Sequence, residues 1–150
     1  MTRVQPADLI ITGDRARLKR LIGKSLGLSD TQLKRDMDFA KYAEPSKSAG
    51  YASKTEAAYA QYLDALVHGG EISNWWYAPV SFRLPGKRNR YTPDFLTLCG
   101  RGLTFIEVKG WSPSYDRSIV KLKTAAGLTP WADFQLVKRI KGNWEHHVIS

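Results

Sequence analysis

Asp94, Glu107 and Lys109 are the residues whose types and spacing best suit chemistry. Glu107 and Lys109 lie two positions apart in the otherwise apolar stretch 105–110, which predicts a strand, so their side chains share one face roughly 7 Å apart. Burying a carboxylate and an ammonium group there is unfavourable without a partner, and a divalent metal ion is a natural partner for Glu107. Asp94, 13 residues earlier on the neighbouring predicted strand, would supply a second carboxylate.

Oxygen ligands of this kind suit Mg²⁺, which keeps several of its waters, and Mn²⁺ is expected to substitute for it. A metal so held neutralises a phosphate and lowers the pKa of a bound water, which phosphodiester hydrolysis requires. Lys109 is placed to position or deprotonate that water. The alternative for Glu107 and Lys109 is a solvated ion pair on a sheet edge, which an E-x-K pattern alone favours. The Pro93-Asp94 pair, where a strand follows a turn, favours the metal site.

Glu56 is a fourth candidate, with two roles that the sequence leaves open. Residues 53–56 read Ser-Lys-Thr-Glu, a capping box in which Glu56 satisfies the start of a helix. Glu56 also lies on the apolar, sheet-facing stripe of that helix, which is made by Tyr59, Ala60, Leu63 and Val67. An acid at the exposed end of this stripe is within reach of the metal site, and capping does not exclude ligation.

These residues need a sheet with helices packed against it, and the periodicity of the chain predicts one. Helices are expected over residues 15–26, 29–40, 53–67 and 115–126, and strands over 75–84, 90–98, 103–108, 134–140 and 144–149. In the strand over 103–108, alternation turns Ile106 and Val108 into the core and Phe105 and Glu107 the other way. The pattern predicts an α/β fold with a mixed sheet of four or five strands flanked by helices.

Pro93-Asp94 followed by Glu107-Val108-Lys109 resembles the signature of the PD-(D/E)XK nuclease superfamily, which has the restriction-endonuclease-like fold. The order of the predicted elements is similar to the α-β-β-β-α-β core of that superfamily. Residues 91–96 and 107–111 look like the phage endonuclease I group, which resolves branched DNA. Residues 53–56 and 70–74 add a resemblance to small phage and prophage nucleases, although Ala78 stands where many of those members carry glutamine.

The resemblance implies that Asp94, Glu107 and the carbonyl of Val108 bind one or two Mg²⁺ ions. It also implies that Lys109 positions the attacking water or stabilises the phosphate, and Glu56 matches the helix acid of many members. The implied activity is metal-dependent hydrolysis of DNA that leaves a 5′-phosphate, with branched DNA as one candidate substrate. The alternative function is a nucleic-acid-binding regulator whose nuclease-like fold is not used catalytically, and a third is an RNA-directed nuclease.

The chain is basic, with a formal net charge of +9, and such a surface attracts polyanions, DNA first among them. Lys87, Arg88 and Arg90 lie in or beside a turn that opens toward the strand of Asp94. Phosphate contact is their expected role, and a solvated hairpin tip is the alternative. On the next helix, Lys121 and Lys123 are further candidates for DNA contact or a plain solvent face.

The location expected from the sequence is the cytoplasm, that of the host cell if the chain is phage-encoded. The sequence contains no apolar run long enough to span a membrane, so no membrane segment is expected. The single cysteine, Cys99, has no partner for an internal disulfide and fits a reducing compartment.

Residues 1–45 form a predicted N-terminal helical segment, which a polar linker separates from a nuclease domain at residues 50–150. Its two helices resemble a helix-turn-helix, in which Lys34 and Arg35 on the second helix would contact DNA. A helical hairpin packed for stability or dimerisation is the alternative. Cutting both strands of a junction takes two active sites, so a homodimer is the assembly that such an activity needs.

Overall fold

The computed structural model describes Gly23, Gly27, Ser29, Thr31 and residues 37–39, 50–100, 102–110, 117–129 and 133–149. Two helices with full bounds lie in this part of the chain, α1 (Lys54–His68) and α2 (Arg117–Leu128). Its strands are β1 (Met37–Phe39), β2 (Asn74–Tyr77), β3 (Val80–Arg83), β4 (Arg90–Tyr91), β5 (Phe95–Cys99), β6 (Gly102–Lys109), β7 (Asp133–Ile140) and β8 (Asn143–Ile149).

A mixed sheet of five strands forms the centre of the described fold, in the order β2-β5-β6-β7-β8. β6 and β7 run parallel, with Glu107 opposite Leu136, and the other neighbours are antiparallel. Parallel strands need a crossover, and α2 lies in the connection between them. β7 and β8 are joined by a two-residue turn in which Lys141 (φ 51°) and Gly142 (φ 80°) are both left-handed. The predicted α/β class with a mixed sheet is confirmed, at five strands.

Helix α1 begins and ends close to the predicted residues. The side chain of Ser53 caps it by accepting a hydrogen bond from the Glu56 N–H at 3.1 Å. Gly69 follows its last residue, and the Gly69 N–H donates to the carbonyl of Ala65 at 2.9 Å. Neither of the two helices with full bounds has the length and apolar run that crossing a membrane takes.

Both faces of the large sheet are covered at its centre, whereas most of the edge strand β8 is exposed. Helix α1 packs on one face against Trp75, Phe95, Ile106 and Val108. On the other face, α2 and strands β3 and β4 pack against a cluster that includes Trp76, Leu96, Phe105 and Phe134. The predicted alternation of side chains in β6 is therefore confirmed, but the expectation of a single core-facing side is wrong. Phe105 is 0% exposed because a second layer covers its face.

The segments predicted as single strands over 75–84 and 90–98 are each broken in two. β2 and β5 pair in the large sheet, whereas β3 and β4 pair with each other beside β1 in a three-stranded sheet. The first break falls at Ala78 (φ 44°) and the second at residues 92–94. Pro79 and Pro93 lie at these breaks, and a proline cannot donate a hydrogen bond to a neighbouring strand. The two strands thus form one hairpin that bends from one sheet into the other beside Asp94.

The described part of the N-terminal segment agrees with the prediction at Gly23, Gly27 and Thr31 and departs from it at Met37–Phe39. Gly23 and Thr31 are helical, and Gly27 (φ 66°) lies in a turn between them. Met37 was expected on the second helix but lies in β1, opposite Phe82 of β3. Pairing with the edge of the small sheet, a tertiary contact, overrides the local helical pattern. The division of the chain near residues 45–50 stays a prediction, since most of this segment lies outside the described residues.

Candidate active site

Asp94 lies where the antiparallel pairing of β5 and β6 stops. Phe95 pairs with Ile106, and the same register two residues further would put Pro93 opposite Val108. The pairing cannot continue there because proline has no N–H to donate to the Val108 carbonyl. The Val108 N–H instead donates to Oδ2 of Asp94 at 2.8 Å. The N–H and C=O of one residue point to the same side of a strand, so the Val108 carbonyl is also directed toward the side of Asp94. The Pro-Asp pair therefore ends the ladder and leaves a carboxylate and a carbonyl at its end.

Glu107 lies on the α2 side of β6 and is 3% exposed. The hydroxyl of Tyr91 donates to its Oε2 at 2.9 Å, and Nζ of Lys109 lies 3.2 Å from its Oε1. Burial raises the pKa of Glu107, although the Lys109 charge and hydrogen bonds from Tyr91 and Ser118 act in the opposite direction. Each oxygen of this buried carboxylate is thus held in place by a different residue.

The environment of Asp94 disfavours its charged form. Burial, followed by the nearby charges of Glu107 and Glu56, raises the pKa of Asp94 from 3.8 to about 8. The Val108 N–H and the charge of Lys109 lower it by less than these effects raise it. Carboxylates crowded in this way are stabilised by a cation placed among them.

We expect the metal-free protein to lose stability as the pH rises from about 4 to about 8. The folded pKa of Asp94 exceeds the unfolded value, so the folded state holds this proton more tightly, and that contribution is lost as pH rises through about 8. Thermal melts in EDTA across this range should show a falling Tm. In Asp94→Asn the Tm is expected to depend much less on pH. An unchanged fall of Tm with pH in that variant would contradict the assignment of this dependence to Asp94.

Glu56 caps its helix and also lies near Asp94. Oε2 of Glu56 accepts from the Ala52 N–H at 3.3 Å and from the Tyr77 hydroxyl at 2.7 Å. Its charge is among the causes that raise the pKa of Asp94. The Ser53 half of the predicted capping box is confirmed, whereas the Glu56 side chain accepts from the Ala52 N–H and not from that of Ser53. The metal-ligand role of Glu56 stays a prediction.

The start of α1 and the end of β6 meet at this edge of the sheet. A Cβ on Gly110 would lie 3.2 Å from Oγ1 of Thr55, so the residue after β6 runs close beneath the first turn of the helix. This approach carries Glu56 to the same end of the sheet as Asp94 and Lys109. Because α1 covers the face opposite Glu107, Glu56 and Glu107 approach Asp94 from different sides.

The donors that fit a metal ion here are Asp94, Glu107 and the carbonyl of Val108. Within the described part of the chain, no cluster of three or more His, Cys, Asp or Glu side chains is arranged to hold a metal. Mg²⁺ is commonly held by only one or two carboxylates and keeps several waters. Two carboxylates and a backbone carbonyl therefore suit Mg²⁺ better than a metal that needs a full set of side-chain ligands.

Sequence reasoning missed two tyrosines that hold the acids. Tyr91 is 2% exposed and donates to Glu107, and Tyr77 donates to Glu56. Burial and its bond to Glu56 raise the pKa of Tyr77 to about 12, so its hydroxyl stays a donor at neutral pH. Both residues lie close in the chain to the bends at Ala78 and Asp94. The bends turn the two tyrosines toward the carboxylates, and the strand pattern of the sequence does not predict these bends.

Tyr91→Phe is expected to lower the free energy of unfolding by about 1 to 3 kcal/mol, because a buried carboxylate loses a hydrogen-bond donor. Urea unfolding at pH 7.5 in EDTA measures this loss. The difference from the unmodified protein should shrink at pH 4, where Glu107 is protonated and needs the donor less. If Tyr91→Phe lowers the free energy of unfolding equally at both pH values, the loss comes from packing and not from the hydrogen bond to the Glu107 carboxylate.

The residues predicted to contact DNA lie in two regions. Lys87, Arg88 and Arg90 are exposed at the tip of the β3–β4 hairpin, where the side chain of Asn89 donates to the carbonyl of Pro85 at 2.7 Å. Arg83 lies opposite Arg90 in this hairpin and is a basic residue that the prediction left out.

On α2, Lys123 is exposed and Lys121 is half-buried one turn from Ser118, which hydrogen-bonds Glu107. Lys34 and Arg35 lie outside the described residues. DNA contact by the basic residues of both regions stays a prediction.

Comparison with known proteins adds no relative. No protein-family model matches the sequence, and it matches no curated protein and no solved structure.

Proposed function

We propose that this chain is a metal-dependent DNA endonuclease built on a restriction-endonuclease-like core. The observation that carries the proposal is the meeting of Asp94, Glu107 and Lys109 at the end of β6. Two carboxyl groups with raised pKa values lie there beside a lysine whose Nζ is 3.2 Å from one of them. Perturbed carboxyl groups of this kind are a mark of functional sites.

In this proposal Asp94, Glu107 and the Val108 carbonyl hold Mg²⁺, for which Mn²⁺ substitutes. The ion, when bound, neutralises charge on the phosphate and makes a water molecule more acidic. Lys109, whose side chain is 23% exposed, orients the attacking water or binds a phosphate oxygen. The Val108 N–H fixes Asp94, and Tyr91 fixes Glu107, so that neither acid has to be ordered when substrate arrives.

The remaining features support a polyanionic substrate. The net charge of +9 favours capture of DNA, and Lys87, Arg88 and Arg90 on the hairpin that carries Asp94 suit contact with its backbone. The order of α1, the bent hairpin, β6, α2 and β7 agrees with the element order of the PD-(D/E)XK superfamily. Lys121 on α2 lies one turn after Ser118, which hydrogen-bonds Glu107, and Arg117 directly precedes Ser118.

A substrate panel with and without metal tests the proposal. Supercoiled, linear, single-stranded and four-way-junction DNA, together with RNA, would be incubated with the protein in Mg²⁺, in Mn²⁺ and in EDTA. We expect DNA cleavage with either ion and none in EDTA. Intact DNA after long incubation in Mn²⁺, alongside tight binding, would favour a regulator, and cleavage of RNA alone would favour an RNA-directed enzyme.

A further inference from the structure

A row of aromatic rings lies on the α1 side of β8, away from the carboxylates. The ring of Trp144 is 6.1 Å from that of Tyr62, and the ring of His146 is also 6.1 Å from Tyr62. The guanidinium carbon of Arg139 lies 4.8 Å from the centre of the Trp144 ring. We call Tyr62, Arg139, Trp144 and His146 the ring platform.

The ring platform is accessible and already ordered. Tyr62, Arg139 and Trp144 are half-buried and His146 is exposed. Trp144 and His146 lie on β8, which is a strand at the edge of the large sheet. Tyr59, which is 1% exposed, backs the platform with its ring 4.9 Å from Trp144 and its hydroxyl 3.3 Å from Nε2 of His146. A preformed surface of this kind binds without the entropy loss of ordering its side chains.

Strand register places the ring platform close to the proposed active site. Lys109 lies opposite Lys138 of β7, and Arg139, the next residue, lies opposite Trp144 of β8. Trp144 is thus two strand spacings, about 10 Å, from the end of β6 across the sheet, on the α1 face, whereas Glu107 and Lys109 lie on the α2 face. A DNA strand that runs from the ring platform to Lys109 therefore passes around this end of the sheet.

We propose that the ring platform stacks unpaired bases of a DNA strand that leads into the active site. Flat rings next to an arginine bind bases of any sequence by stacking and cation–π contact, while nearby cations attract the backbone. Lys141, in the turn of the same hairpin, supplies such charge, whereas Lys138 pairs with Lys109 on the opposite face of the sheet. Bases within a duplex are stacked on each other, so the platform selects DNA with an unpaired segment beside the cleaved bond. This inference rests on the proposed endonuclease function and names its substrate class.

Binding in EDTA, where no metal-dependent cleavage occurs, tests the inference. The probes are a fluorescent 12-nucleotide deoxythymidine strand and a 12-base-pair duplex, each titrated by anisotropy. Trp144→Ala is expected to weaken single-strand binding about 10-fold and Trp144→Phe by much less, since phenylalanine still stacks. Arg139→Met should also weaken it. Val148→Ala, a change at an exposed residue of the same strand, serves as the matched control and should leave both affinities unchanged.

Duplex binding should change less than about 2-fold in the Trp144 variants, as the stacking argument requires. Equal weakening for strand and duplex, or full single-strand affinity in Trp144→Ala, would overturn the inference. If Trp144→Ala melts at a clearly lower temperature, photocrosslinking of unmodified protein to a strand containing 5-iododeoxyuridine decides instead. Crosslinks at Trp144, Tyr62 or His146 support the platform, and crosslinks only elsewhere contradict it.

The two proposals fail in different experiments. Metal-dependent cleavage of duplex DNA with no preference for unpaired segments and no single-strand binding would remove the ring platform but keep the endonuclease. Single-strand binding that depends on Trp144, without any cleavage, would keep the stacking surface and remove the endonuclease.

Discussion

Glu107→Gln is expected to abolish metal-dependent cleavage, with a loss of roughly 1,000-fold or more, because the proposed ion loses a charged ligand worth several kcal/mol in the transition state. Glutamine keeps the volume of the side chain and can still accept a hydrogen bond from Tyr91. The variant should therefore fold. It should melt at an equal or higher temperature above neutral pH, since burial raises the pKa of Glu107 and removal of its charge relieves that cost. Plasmid nicking in Mg²⁺, with a thermal melt of the same sample, measures both effects.

Glu71→Gln is the matched control for that experiment. Glu71 is an exposed acid after α1, and the same substitution there changes the net charge by the same amount. It should nick at the rate of the unmodified protein. Full activity in a folded Glu107→Gln variant would remove Glu107 from the site and with it the argument for a metal at the end of β6.

The sequence predicts the parts of the site that depend on local pattern. The E-x-K spacing in β6 places Glu107 and Lys109 on one face, as alternation predicts, and their ion pair forms with Glu107 buried on a central strand rather than solvated on a sheet edge. The Ser53 cap fixes the start of α1 and the direction of Glu56. The break in pairing at Pro93 is not among these predictions, although the missing N–H of proline accounts for it and for the turn of the Asp94 carboxylate toward the Val108 N–H. Each of these follows from chemistry within a few residues of the chain.

The rest depends on contacts between distant residues. The aromatic and β-branched residues over 75–84 predict one strand, and although Pro79 permits a break in pairing, the pattern does not state that Trp75 and Phe82 belong to different sheets. Tyr91 is an ordinary strand residue by pattern, and only the second layer brings its hydroxyl to Glu107, 16 positions away. Met37 has a helical pattern around it but pairs with β3. The residues that hold the acids are thus harder to predict than the acids themselves.

Lys109→Met is the second large effect that we expect, with cleavage at saturating Mg²⁺ reduced by about 100-fold or more, the usual contribution of a group that positions or deprotonates a nucleophile. Two explanations of such a loss have to be separated. In one, Lys109 acts on the water or the phosphate. In the other, it acts only through Glu107, whose pKa its charge lowers, so that the variant fails because Glu107 stays protonated and binds metal poorly.

The pH and metal dependence of Lys109→Met distinguishes these explanations. If Lys109 only keeps Glu107 ionised, raising the pH or the Mg²⁺ concentration should restore cleavage, since both drive the proton off the carboxyl group. If Lys109 acts on the reaction itself, the Mg²⁺-induced rise in Tm should return at higher pH while cleavage stays low. We expect the second result, because the side chain of Lys109 is 23% exposed and its Nζ lies beside a carboxylate that Tyr91 already holds. Recovery of cleavage in parallel with metal binding would instead make Lys109 a positioning residue for Glu107.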